Sequence, residues 1–183
     1  MMRSAFIVAW QFLVSLSFVF FITFTIFPAV TTDFPLHFLG SMENAQQRIS
    51  WTMLIYILTF NVTDTIGRWL GGQAFGSIPA RPMFIITYLR IVFVASTFII
   101  DYGVGPEWLT GINGDWFKLL NMTLFAFSNG YCSTQCAIKS PSRAPDDKKE
   151  IVGTFVGVFI TAGIVTGSMA AIGVGSLAAH NPK

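Results

Sequence analysis

The chain has 183 residues, of which 53% are hydrophobic and only 11% are charged, with a formal net charge of +2. Soluble domains typically carry about 25% charged residues, so this chain has too little charge to cover a water-facing surface. Its mean hydropathy of +0.63 agrees. The composition excludes a disordered chain, a basic nucleic-acid-binding protein and nearly any monomeric soluble globule, and it indicates a membrane protein.

Five apolar stretches are long enough to cross a membrane as helices, since a hydrocarbon core of about 30 Å needs roughly 20 residues. In chain order they are about 5–30, 51–70, 83–100, 116–138 and 151–178, separated by segments with Pro, Gly, Asn and most charged residues. The first stretch is too long for a cleaved signal peptide and is interpreted as a retained span. The sequence therefore predicts an all-α, multi-pass integral membrane protein, with residues 1–183 forming one lipid-embedded domain.

Basic residues are unequally divided between the two sides of the predicted membrane domain. An excess of Lys and Arg marks the cytosolic or matrix side, and with five spans the two termini face opposite sides. We therefore expect the Met1 end to face the cytosol, or the matrix of a mitochondrion, and the Lys183 end to lie opposite. The residues on the Met1 side are Arg3, Arg81, Lys139, Arg143, Lys148 and Lys149, against Arg48, Lys118 and Lys183 on the other.

The second span contains three polar residues, Asn61, Asp64 and Arg68, at offsets of three and four. A charged residue at the centre of a spanning helix costs about 2.5–3.5 kcal/mol. This spacing puts all three on one helical face, where Asp64 and Arg68 can pair. One interpretation is a topology anchor, with Arg68 reaching the interface and Asp64 neutralising it. The other, favoured by the deeper positions of Asn61 and Asp64, is that these three residues form a polar helix face that borders a water-filled path.

The third and fourth spans also carry polar residues. Arg90 is expected either to pair with Asp64 or to meet backbone carbonyl groups, and the sequence leaves both open. In the fourth span, Asn129 and Gln135 are equally consistent with hydrogen bonds between helices and with substrate contact. Arg90 and Asn129 are therefore predicted to line a cavity or to take part in packing.

Small residues recur along the fifth span. Gly153 and Gly157 form one G-x-x-x-G step, and Gly163 and Gly167 form a second. Such steps let another helix approach closely, and the partner helix could belong to this chain or to another. The pattern predicts packing rather than chemistry.

Catalytic and metal-binding patterns are absent from the sequence. Cys132 and Cys136 are one helical turn apart, and the two histidines, His37 and His180, are not near them. We interpret the cysteines as packed thiols. The sequence indicates neither an enzyme nor a metal or cofactor site.

Four segments together resemble the equilibrative nucleoside transporters. Phe24–Val30, Thr59–Arg68 and Phe125–Tyr131 are similar to the family's seventh, eighth and tenth helices, and Glu150–Ser168 is similar to its eleventh. The resemblance covers nearly the whole chain. One departure is Ala95, where the family often has Pro in its ninth helix, a change that could straighten this helix.

This resemblance implies a fold like the C-terminal bundle of a major-facilitator-like transporter, which moves nucleosides down their gradient by alternating access. It also implies that Asp64 and Arg68 bind the ribose hydroxyls of the nucleoside, and that Asn61 lines the same cavity. The chain corresponds only to the last five of the family's eleven helices, so we expect that it cannot transport nucleosides alone.

Three explanations are open for the short chain. It could be one part of a split transporter, a truncated gene model, or a transporter-derived accessory subunit of a larger membrane complex without transport activity. The first and third require other membrane protein chains as partners.

Overall fold

The computed structural model describes residues 2–27, 36–101 and 112–179, and within these ranges the chain is helical and contains no strand. The described residues form six α-helices: α1 (Met2–Ile26), α2 (Ala45–Gly72), α3 (Ala80–Leu89), α4 (Ile91–Asp101), α5 (Ile112–Ser142) and α6 (Lys149–Ala179). Short 3-10 turns lie at His37–Leu39, Ala74–Gly76 and Asp146–Lys148. The predicted all-α membrane architecture is confirmed. Residues 28–30 of the first predicted span, together with Lys183, lie outside the described residues.

Four segments of the described residues are long and apolar enough to cross a membrane: Ser4–Ile26, Ala45–Gly72, Ala80–Ile99 and Asp146–Gly173. They agree with the first, second, third and fifth predicted spans. The fourth predicted span is the 31-residue α5, which is long enough but more polar. Its polar side chains point into the bundle, among them buried Asp115, Asn129, Ser133 and Gln135. Mean hydropathy therefore underestimates the ability of α5 to cross a membrane, because its polar side chains are buried against other helices.

The third predicted span consists of two helices, because α3 and α4 are separated at Arg90. Arg90 caps α3, its amide donates to the carbonyl oxygens of Thr87 and Tyr88, and its φ and ψ are −56° and −19°. The break therefore lies at Arg90, whereas Ala95, where the family often has Pro, lies within α4.

The bundle is organised around α5. The α2 helix packs chiefly against α5, while α1 packs against both α6 and α5. One apolar cluster joins Ile22, Tyr56 and Phe125, from α1, α2 and α5. A second cluster, which contains Ala5 and Val152, lies where α1 and α6 begin. The outer surfaces of α2, α3, α4 and α6 expose large apolar side chains, as expected for a membrane protein.

The two G-x-x-x-G steps of α6 lie in different environments. A Cβ at Gly163 would lie 2.3 Å from the Ser17 carbonyl oxygen, and one at Gly167 would lie 2.5 Å from that of Phe21. The second step therefore lets α1 of the same chain approach α6 at backbone distance. A Cβ at Gly153 or Gly157 would meet open space. The first step packs against no helix within the described residues.

Candidate functional site

Asp64 and Arg68 form an ion pair within α2, as the four-residue spacing predicts. Arg68 Nε donates to Asp64 Oδ2 at 2.6 Å. The two side chains differ in exposure, because Asp64 is 12% exposed and Arg68 is 45% exposed. The carboxylate thus lies against the bundle while the guanidinium lies at its surface.

Asn129 of α5 binds the second oxygen of the Asp64 carboxylate. Its Nδ2 donates to Asp64 Oδ1 at 2.6 Å, and its Oδ1 accepts a hydrogen bond of 2.7 Å from Thr23 of α1. The side-chain amide therefore links α1, α5 and α2 through one residue. Asp64 and Asn129 are both buried, so these hydrogen bonds are shielded from solvent and are costly to lose.

Arg90 lies at the α3–α4 break and is 1% exposed. Its Nη1 donates to the Phe125 carbonyl oxygen at 3.0 Å and its Nη2 to Thr23 Oγ1 at 2.8 Å. Its guanidinium also lies 4.9 Å from the centre of the Phe125 ring. The sequence left open whether Arg90 pairs with Asp64 or binds backbone carbonyl groups, and the structure shows the second of these contacts. Asn129 connects it to Asp64, since Arg90 Nη2 is 3.5 Å from Asn129 Oδ1.

Thr23 forms a polar network with Asp64, Arg90 and Asn129, although no sequence pattern points to Thr23. A threonine in a Phe-rich span is a weak signal, because its hydroxyl often bonds to the carbonyl of the preceding turn. Thr23 Oγ1 does lie 2.8 Å from the Val19 carbonyl oxygen. Only the positions of Arg90 and Asn129 show that the same hydroxyl also joins two helices.

Asn61 lies apart from the network. It is exposed, and its Nδ2 donates to the Ile57 carbonyl oxygen at 2.8 Å. With 3.6 residues per turn, Asn61 and Arg68 differ by about 20° around the helix, whereas Asp64 is about 60° from Asn61. Asn61 and Arg68 therefore share the exposed surface of α2 with Thr65, which is also exposed. We refer to Asn61, Thr65 and Arg68 as the polar stripe.

Two glycines hold α2 and α5 close together at the level of the carboxylate. A Cβ at Gly67 would lie 2.2 Å from the Phe127 carbonyl oxygen, and one at Gly130 would lie 2.0 Å from that of Asp64. Only residues without a side chain permit this approach. The contact brings Asn129, the neighbour of Gly130, within hydrogen-bond distance of Asp64.

Gln135 forms another link between the same two helices. Its Nε2 donates to the Gly71 carbonyl oxygen at 2.5 Å. Of the two interpretations of Gln135, the structure therefore shows the hydrogen bond between helices.

Cys132 and Cys136 are buried free thiols. Across residues 2–27, 36–101 and 112–179, no group of three or more His, Cys, Asp or Glu side chains could hold a metal ion.

The chemistry available at Asp64 and Arg68 is hydrogen bonding and charge. A carboxylate offers about four lone-pair positions, of which Arg68 occupies two and Asn129 a third, so one is left for a ligand. A guanidinium carries five N–H donors in a planar fork. The pair can therefore accept from and donate to a polar ligand at the surface of α2 without breaking its existing contacts.

Comparison with known proteins identifies the group to which this bundle belongs. The nucleoside transporter family profile matches residues 2–174. Equilibrative nucleoside transporter 1 of Homo sapiens is 29% identical over 159 residues, which are 85% of this chain and 34% of that protein. Adenosine transporter 1 of Crithidia fasciculata is 25% identical over 172 residues, 90% of this chain and 31% of that protein. Equilibrative nucleotide transporter 2 of Arabidopsis thaliana is 30% identical over 160 residues, 84% of this chain and 33% of that protein.

The chain spans about a third of the length of these relatives. The family match covers α1 to α5 and α6 as far as residue 174, and it includes Asp64, Arg68, Arg90 and Asn129. The resemblance inferred from the sequence is confirmed: this integral membrane chain belongs to the nucleoside transporter family.

Proposed function

We propose that this chain forms one wall of a nucleoside path across the membrane, and that Asp64 and Arg68 bind the ribose of the nucleoside. The observation that carries the proposal is the position of the pair. Asp64 is held inside the bundle by Asn129, and Arg68 projects at the exposed surface of α2 that it shares with Asn61 and Thr65. The names of the relatives, transporters of nucleosides, adenosine and nucleotides, support this substrate class.

The chemistry of ribose suits this pair. Its two neighbouring hydroxyls each donate one hydrogen bond and accept others. The Asp64 carboxylate can accept from one hydroxyl while the Arg68 guanidinium donates to the other. Hydrogen bonds to charged groups contribute about 1.5–3 kcal/mol each, enough to select a ribose from sugars that lack one of these hydroxyls.

The polar stripe supports a requirement for further helices. Arg68 lies four residues before the end of α2 at Gly72, and Asn61 and Thr65 extend its polar surface toward the middle of the helix. Such a surface is better suited to a water-filled path than to lipid. We therefore propose that a second set of helices covers the stripe and that residues 1–183 alone do not transport nucleosides.

The orientation of the bundle is also a proposal. The excess of Lys and Arg on the Met1 side favours a cytosolic or matrix position for that end. Nucleosides would then pass between the two sides along the exposed surface of α2.

Uptake of a radiolabelled nucleoside into proteoliposomes tests the proposal. The chain is purified alone and, in parallel, together with the membrane proteins that remain bound to it in mild detergent. We expect uptake only with the complete assembly. Arg68→Ala should raise the half-saturating nucleoside concentration about 10- to 150-fold, since it removes one charged hydrogen bond of about 1.5–3 kcal/mol.

Arg81→Ala is the matched control, because it removes an exposed positive charge outside the network and should leave uptake unchanged. Uptake by the isolated chain would refute the need for further helices. An assembly that shows no uptake, or one in which Arg68→Ala has no effect, would refute nucleoside binding by this pair. An assembly that shows no uptake would instead support the accessory-subunit explanation.

A further inference from the structure

A pocket unrelated to the Asp64–Arg68 pair lies at the end of the bundle where α1 begins. It has a volume of about 380 Å³ and lies between the connection from α2 to α3 and the last turns of α5. The Arg143 guanidinium at its edge lies 5.7 Å from the centre of the Phe12 ring of α1. The lining residues are Ser77, Ile78, Pro79, Ala80, Lys139, Ser142 and Arg143.

The charge of this pocket is positive. Two of its seven lining residues are basic and none is acidic. Lys139 Nζ donates to the Ile78 carbonyl oxygen across the pocket, which holds the ammonium group at the wall. An ammonium has three donors, so this contact leaves others for an anion. Asp146, the next acidic residue along the chain, is paired with Lys149, with Nζ 2.6 Å from Oδ1.

The backbone of the opposite wall also favours negative charge. The ten-residue α3 begins at Ala80, and Pro79 before it provides no side-chain hydrogen bond to the first amides. Only Ala80 and Arg81 supply such amides, because the third residue is Pro82 and the Met83 amide donates to the Pro79 carbonyl oxygen. The helix dipole also places partial positive charge at this end. The backbone therefore adds to the positive field of Lys139 and Arg143.

Aromatic residues place the pocket at the level of lipid headgroups. Trp69 and Phe75 are 60% and 74% exposed, and their rings make an edge contact with centres 6.2 Å apart. Phe75 is two residues before Ser77 in the same connection. Large exposed aromatic residues at the end of a spanning helix are typical of the interface between hydrocarbon and water. An exposed apolar residue of α5, Ile138, lies beside Lys139.

We propose that this pocket binds the phosphate of an anionic lipid headgroup. Lys139 and Arg143 contribute the charge, the α3 amides contribute neutral donors, and the lipid chains extend along the apolar surface next to Ile138. A soluble phosphate shares the headgroup chemistry but lacks the chains. The aromatic residues beside the pocket favour the lipid. Basic pockets between helices on the cytosolic or matrix side are the usual sites of phospholipid headgroups.

Native mass spectrometry of the purified protein tests this proposal. The protein, with any bound partners, is reconstituted in phosphatidylcholine nanodiscs with or without phosphatidylglycerol, released, and examined for retained lipid. We expect selective retention of phosphatidylglycerol. Lys139→Gln with Arg143→Gln should weaken it about thirtyfold, which corresponds to about 1 kcal/mol for each basic residue.

Lys148→Gln is the charge-matched control for Arg143→Gln, since Lys148 does not line the pocket; retention should persist. Arg143→Gln alone, about a fivefold loss, serves if the double variant fails to fold, because Arg143 is exposed. Equal retention of both lipids, or equal loss in the control, would overturn the proposal. Stabilisation of the protein by inorganic phosphate without selective lipid retention would assign the pocket to a soluble anion and overturn the lipid assignment. None of these results depends on nucleoside uptake.

Discussion

Gly130→Ala should separate α2 from α5 and disconnect the carboxylate that we assign to nucleoside binding. The new methyl group would lie 2.0 Å from the Asp64 carbonyl oxygen and 2.8 Å from the Arg68 amide nitrogen. Both are backbone atoms, which cannot rotate away as a side chain can. The first distance is 1.0 Å shorter than the 3.0 Å below which Cβ contacts essentially do not occur. The helices must therefore move apart.

The magnitude follows from three contributions. Overpacking a well-packed interior costs about 1–3 kcal/mol. Separation also weakens the 2.6 Å hydrogen bond from Asn129 to Asp64, and a hydrogen bond to a charged group contributes about 1.5–3 kcal/mol. Replacing glycine by alanine in a helix recovers about 1 kcal/mol. We expect a net destabilisation of about 1.5–5 kcal/mol.

The assay is thermal stability in detergent micelles, measured as the size-exclusion peak that remains after heating. Gly157→Ala is the matched control, because it is also within a helix but its Cβ would meet open space; it should be neutral or stabilise by up to about 1 kcal/mol. The reasoning is refuted if Gly130→Ala is as stable as Gly157→Ala.

Two further predictions concern buried polar contacts. Arg90→Met should destabilise the bundle by about 2–4 kcal/mol, because Thr23 and the Phe125 carbonyl lose a buried donor. Arg90→Lys should restore only part of this stability. A Met variant that unfolds at the same temperature as the unsubstituted protein would contradict the prediction. Asp115→Ala should speed amide hydrogen exchange at Phe38, whose amide donates to Asp115 Oδ2 at 2.8 Å, with a loss of about 1–3 kcal/mol in local stability. Asp115→Asn keeps an acceptor and should show a smaller change; equal exchange in all forms would contradict the assignment.

Long apolar segments could be located from the sequence because the thickness of the hydrocarbon core sets the length of a span. The fifth span, expected at 151–178, is the helix Lys149–Ala179. The break at Arg90 could not be predicted in this way. The sequence has neither Pro nor Gly at that position, and the guanidinium there is bound by residues of α1 and α5 that are distant in the chain.

The orientation of α2 shows a second limit of sequence reasoning. The spacing of Asn61, Asp64 and Arg68 predicts a shared face, yet a rotation of about 60° separates the buried Asp64 from the exposed Asn61. The face that turns inward depends on Gly67 of α2 and Gly130 of α5, which allow close approach only there. A helical pattern read on one chain segment contains no information about the glycine on its partner.

The hydrogen bonds around Asn129 and Arg90 also have a mechanical consequence. They join α1, α2, α5 and the α3–α4 joint through Thr23, Asp64 and the Phe125 carbonyl. Sliding any one of these helices past another would leave buried donors and acceptors unpaired, at about 1–3 kcal/mol for each group. These helices should therefore move together as one rigid body. Under the proposed function, a nucleoside bound at the exposed Arg68 would move with this body and would leave its buried hydrogen bonds intact.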